Sequence, residues 1–102
     1  MITKYKLFIR PACDECMKIV EFMQSQKIKG DIIDVTDAEG EKAFKGMLCL
    51  AGEQGFKVNE NSDGTYTFPI CFFFDYNDIE KIAYTTEDAK RVLENKSLFD
   101  IV

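Results

Sequence analysis

Arg10-Pro11-Ala12-Cys13-Asp14-Glu15-Cys16 is the stretch on which the reading of this chain turns. An apolar run, Tyr5, Leu7, Phe8 and Ile9, stands directly before it, and a helical pattern begins directly after it. Pro11 breaks the run, so the two cysteines fall in the first turn of the helix. A C-x-x-C spacing there brings the two sulfurs within disulfide reach, and the first lies near the unpaired amides of the helix N-terminus. Those amides and the helix dipole favour an anion. Cys13 is therefore expected to be the more readily ionised thiol, and Cys16, one turn further in, the more buried one. The division of labour that follows is attack by Cys13 and closure of the disulfide by Cys16.

Working outward, the run before the motif reads as a strand over about Lys4–Ile9. The helix after it reads over about Asp14–Gln26, with Cys16, Ile19, Val20 and Met23 at i, i+3, i+4 and i+7 on one buried face. Gly30 is expected to punctuate its exit. Asp31–Val35 reads as a second strand. Thr36-Asp37-Ala38-Glu39 has capping-box form and opens a second helix. That helix carries Phe44, Met47, Leu48 and Ala51 on one side and a Glu41–Lys45 pair on the other, with Gly52 as its stop. The polar stretch Glu53–Thr65 reads as a loop. Phe68-Pro69-Ile70-Cys71-Phe72-Phe73-Phe74 is the most apolar strand and is expected at the centre of the sheet, covered on both faces. Asp75–Asp78 turns it into a strand over Ile79–Tyr84. Thr85 or Thr86 then caps a last helix bearing Ala89, Val92 and Leu93.

The predicted order is β-α-β-α-β-β-α in an α/β fold. The first two strands should be parallel and the last two a hairpin, in a four-stranded mixed sheet with helices on both faces. No repeat or low-complexity tract interrupts it, and 102 residues with 46% hydrophobic side chains and nine Phe suit one domain over residues 1–102. Of the four cysteines, only Cys13 and Cys16 are spaced for redox or metal chemistry; Cys49 and Cys71 read as packing residues inside a helix and a strand. A net charge of -5 argues against nucleic acid as a partner. With no His in the chain, a Cys–His protease and a Cys/His zinc site are both excluded. No apolar run is long enough to cross a membrane, and Met1–Ile9 carries no apolar leader with a cleavage site, so the expected address is the cytoplasm.

That order, with C-x-x-C opening the first helix and a lone Pro69 before the third strand, resembles the thioredoxin fold. The short length and the lack of an extra N-terminal strand and helix are more similar to glutaredoxins than to thioredoxins. The resemblance covers nearly the whole chain. It implies thiol–disulfide oxidoreductase activity through Cys13 and Cys16, with no resident cofactor and glutathione as a candidate co-substrate. It implies a cis peptide before Pro69, facing the cysteine pair, and substrate pairing along the backbone of Phe68. It also gives Arg10, three positions before Cys13, the place of a basic residue that attracts a glutathione carboxylate and favours the Cys13 thiolate. The chain departs from the family in Asp14-Glu15 between the cysteines, and these acids oppose the dipole at Cys13. It also departs in the segment that in glutaredoxins starts the last helix and holds the end of glutathione. Here Thr85-Thr86-Glu87-Asp88 lies near that place, and Asp88 is the acid that could stand in.

The implied substrate is a protein or low-molecular-weight disulfide, reduced by a monomer that glutathione or a thioredoxin reductase recycles. Two other readings of the same cysteines stay open. Two thiolates from each of two chains would complete a zinc or iron–sulfur site. Alternatively, the fold serves as a non-enzymatic docking module.

Overall fold

In the computed structural model the chain describes residues 1–101, with side chains described through Glu94; Val102 lies outside the described residues. Seven elements follow one another: β1 (Lys4–Ile9), α1 (Asp14–Ser25), β2 (Lys29–Asp34), α2 (Ala38–Glu53), β3 (Ile70–Asp75), β4 (Asp78–Ala83) and α3 (Thr86–Ile101). The four strands form one mixed sheet in the order β2-β1-β3-β4. β1 runs parallel to β2, with Tyr5 opposite Gly30 and Phe8 opposite Ile33, and antiparallel to β3, with Leu7 opposite Cys71. β3 and β4 form the expected hairpin, with a register shift at Phe73/Phe74.

Side-chain alternation along the strands builds two cores. Tyr5 and Leu7 of β1 and Cys71 and Phe73 of β3 face α1 and α3, where Ile19, Met23 and Ala89 are buried, with Val92 and Leu93 packed beside them. Phe8, Ile70, Phe72 and Phe74 point the other way, onto Phe44, Met47 and Ala51 of α2. Helices thus cover both faces, and β3 is buried through Ile70–Phe74, which is why it reads as an unbroken apolar run. Phe8 meets Phe44 and Phe72 edge to face, with ring centroids 5.3 and 5.8 Å apart.

Several boundaries differ from the sequence expectation, each for a local reason. Gly30 lies within β2, which starts at Lys29, because a side chain there would run into the ring of Tyr5 on β1. Val35 falls outside β2, yet its N–H still donates to Ile9 O at 3.0 Å. α2 is capped by Asp37, whose carboxylate accepts the Gly40 N–H at 2.7 Å, while Thr36 turns back to Asp34. Gly52 sits inside α2; the left-handed residue beyond its end is Gly55, at φ +82°. α2 presents Cys49 to solvent, so the expectation that this cysteine packs in the core is wrong. The Glu41–Lys45 pair forms as expected, at 3.1 Å on the exposed side. β3 begins at Ile70 rather than Phe68, since Pro69 has no N–H to give the ladder.

The stretch between α2 and β3 is anchored at three points. Gln54 donates to Asn77 O and accepts from Ile79 N–H, which holds it to the β3–β4 turn. The Asn59 N–H donates to the Tyr84 hydroxyl at 2.9 Å. Val58 is buried in the α2-side core, with Tyr66 and Phe68 packed against the same cluster. These contacts hold Phe68 and Pro69 in place at the head of the central strand.

Candidate active site

β1 ends at Ile9, and the three residues after it redirect the chain into α1. Ala12 adopts φ +58°, the left-handed region that an L side chain rarely enters, so Cys13 arrives extended at the N-cap of α1. From that position the Cys13 sulfur accepts the Cys16 N–H at 3.2 Å. A thiol thus stands where serine or aspartate commonly caps a helix. Cys13 is half-exposed, whereas Cys16 is 1% exposed among Ile19 and the inner face of α1. Burial, followed by the neighbouring Cys13 sulfur, pushes the Cys16 thiol up to about 11, opposed in part by a hydrogen bond with the Arg10 backbone.

The Cys13 thiol also reaches across the molecule. It donates to the Phe68 carbonyl at 3.8 Å, over 55 residues of sequence. The next peptide bond, Phe68–Pro69, is cis, as the resemblance implies. The Phe68 ring is held on two sides: it packs edge to face on Phe44 at 5.0 Å, and the Arg10 guanidinium lies over it at 5.2 Å. Cys13, Cys16, Arg10, Phe68 and Pro69 are therefore gathered at one end of the sheet, where β1 runs into α1 and the chain enters β3.

Cys71 lies elsewhere. It is fully buried between the sheet and α1, opposite Leu7, and burial pushes its thiol far up. It is a core residue, as its strand position suggested.

One member of the site makes a contact that the sequence reading, which placed it only as an acid opposing the dipole at Cys13, does not contain. Glu15, between the two cysteines, reaches the start of α3. Its carboxylate accepts the Thr86 N–H at 3.0 Å and a short hydrogen bond from the Thr86 hydroxyl. These hydrogen bonds hold the Glu15 carboxyl below the usual carboxylate range. α3 is capped by Thr85, whose hydroxyl accepts the Asp88 N–H at 3.1 Å, and Asp88 in turn accepts the Tyr84 N–H. Asp88 is thus engaged with its own chain turn and with Arg91, the latter at 3.1 Å. The pattern Thr85-Thr86 marks the donor end of α3, but 71 residues separate it from its acceptor, and no local signal joins the two.

Among the described residues, no group of three or more His, Cys, Asp or Glu side chains is arranged to hold a metal ion. A four-cysteine site built on this motif would draw two of its thiolates from a second chain. Among the same residues, no helix is long and apolar enough to cross a membrane. No protein-family model, curated protein or solved structure matches the chain.

Proposed function

We propose that the protein is a thiol–disulfide oxidoreductase, glutaredoxin-like in its arrangement, working through Cys13 and Cys16 in the cytoplasm. The observation that carries this reading is the position of one sulfur. Cys13 Sγ sits at the N-cap of α1, accepts the Cys16 amide, and lies 3.8 Å from the carbonyl that precedes Pro69. The element order β-α-β-α-β-β-α and the cis Phe68–Pro69 peptide support the thioredoxin-type resemblance.

The two thiols differ in the sense the chemistry requires. Cys13 is reachable, and its sulfur accepts the Cys16 amide. Cys16 is covered and held as a thiol. Ionisation of Cys13 leaves the amide contact intact and frees the Phe68 carbonyl of its donor. That carbonyl then becomes available to an N–H of an incoming extended chain, with the Phe68 ring and Arg10 as one wall.

The Cys13 thiolate attacks one sulfur of a substrate disulfide. A Cys13–substrate S–S bond forms, the substrate S–S bond breaks, and the electron pair leaves on the first substrate thiolate, which takes a proton from water. The Cys16 sulfur then attacks the Cys13 sulfur, its proton passing to the second departing substrate thiolate. The substrate disulfide has gained two electrons and two protons, and the protein holds a Cys13–Cys16 disulfide. A dithiol protein or two glutathione thiols return the two electrons.

The test is single-turnover reduction of a model disulfide by the pre-reduced protein. Cys13→Ser is expected to be inactive, and Cys16→Ser to stop as a mixed disulfide at Cys13 that mass spectrometry detects. Equal rates for Cys13→Ser and the unmutated protein would end this reading and leave the docking module in its place.

A further inference from the structure

The start of α3 docks on α1 at Glu15, the residue between Cys13 and Cys16, and its Thr86 amide is already filled. A helix N-terminus presents unpaired amides and the positive end of the dipole, and so draws anions. Here the anion comes from the chain itself. Glu15, two residues from Cys13, places its carboxylate on the Thr86 amide and hydroxyl. The groove that continues from this point between α1 and α3, about 490 Å³ in volume, holds Lys18 and Lys90 as its cations. Lys18 acts on the Glu15 carboxylate, and Lys90 pairs with Glu87 at 3.6 Å while lying over the Phe22 ring. With Glu21 also on its wall, the groove has three carboxylates against two ammonium groups, so no positive charge is left over for a ligand.

We propose that Glu15 is a specificity-determining residue: by occupying the anion place next to Cys13, it turns the site away from disulfides that carry free carboxylates and towards neutral or polypeptide disulfides. This rests on the redox reading above. A carboxylate-bearing disulfide such as glutathione disulfide must either displace Glu15 from Thr86 or accept a like charge beside the reacting sulfurs. A neutral disulfide, or one embedded in a polypeptide whose termini lie far away, meets neither obstacle.

The experiment measures second-order rates of the pre-reduced protein with glutathione disulfide and with bis(2-hydroxyethyl) disulfide, and compares their ratio among variants. In Glu15→Ala the ratio of glutathione disulfide to neutral disulfide is expected to rise about tenfold, since one negative charge is lost and the Thr86 amide is opened. Asp14→Asn removes a like charge at an exposed neighbour that does not touch Thr86, and is expected to change the ratio by less than about threefold. Should Glu15→Ala fail to fold, Glu15→Gln keeps a hydrogen-bond acceptor on Thr86 while removing the charge, and the ratio is expected to rise by a smaller factor. An unchanged ratio in the folded Glu15 variants, or an equal rise in Asp14→Asn, would overturn the assignment. Failure of the unmutated protein to reduce even the neutral disulfide would instead overturn the redox reading beneath it.

Discussion

Alkylation of the reduced protein by iodoacetamide separates the two active-site thiols, and the expected separation follows from their surroundings. Cys16 is 1% exposed, and its thiol is pushed from the ordinary 9.0 up to about 11. At pH 7 a thiol of 9.0 is about 1% thiolate and one of 11 about 0.01%, a loss of about a hundredfold in the reactive form. A more basic thiolate is intrinsically the better nucleophile, which recovers about tenfold. Ionisation alone therefore slows Cys16 about tenfold against an ordinary thiol, and burial slows it further because reagent must wait for local opening. Cys49, exposed on α2, is the internal reference, and Cys71, fully buried, should react slowest. Mapping the four cysteines by mass spectrometry over pH 7–10 should show Cys13 and Cys49 labelled first, with Cys16 at least about tenfold behind Cys49 and accelerating as pH rises. In denaturant the four should converge. Cys16 keeping pace with Cys49 at pH 7 in the folded protein would show that Cys16 is neither buried nor held protonated.

Three further outcomes test the frame around the site. Both buried thiols, Cys16 and Cys71, keep their protons in the folded state to higher pH than an unfolded chain would. The folded protein therefore binds more protons above pH 9. The Cys16 contribution, roughly 2–3 kcal/mol, is complete below pH 9 and lost by about pH 11. Urea midpoints measured under reductant should fall between pH 8 and pH 10.5, and a flat or rising midpoint would contradict this. Ala12→Gly relieves the left-handed strain at φ +58°, worth about 1–2 kcal/mol, against a glycine entropy cost of about 0.5–1 kcal/mol. Its thermal midpoint should hold or rise, and a clear loss would show that the Ala12 methyl has a packing role. Asp37→Ala removes the acceptor of the Gly40 N–H and should cost about 1 kcal/mol in a denaturant titration, whereas Thr36→Val should leave the α2 cap intact.

The sheet and its coverage were legible because the patterns are strong and local. The β1 run, the i, i+3, i+4, i+7 face of α1 and the unbroken Ile70–Phe74 run each have a period or composition that tertiary context did not override. The cysteine pair was legible for the same reason, since its meaning depends on the strand before it and the helix after it. Features that escaped depend on partners far along the chain. Gly30 looks like punctuation until Tyr5 is found lying against it from the neighbouring strand. Cys49 looks like a core residue by type, but α2 already fills its inner face with Phe44, Met47 and Ala51 and turns position 49 outward. Thr36 and Asp37 compete for one cap, and the carboxylate reaches Gly40 while the hydroxyl is taken by Asp34. Glu15 looks like plain acidic surface or a dipole-matching residue of α1, and only the docking of α3 against α1 gives its carboxylate a receptor at Thr86.

Reversible closure of one bond, Cys13–Cys16, is the core of the proposed chemistry. Equilibration of the protein in glutathione buffers and, separately, in dithiothreitol buffers, followed by acid quench and mass mapping, reads that bond directly. The expected result is a Cys13–Cys16 disulfide that forms and breaks with a single midpoint potential, the same in both buffers, while Cys49 and Cys71 form no bond with Cys13 or Cys16. Cys13 and Cys16 remaining thiols across the full range of both buffers would contradict it.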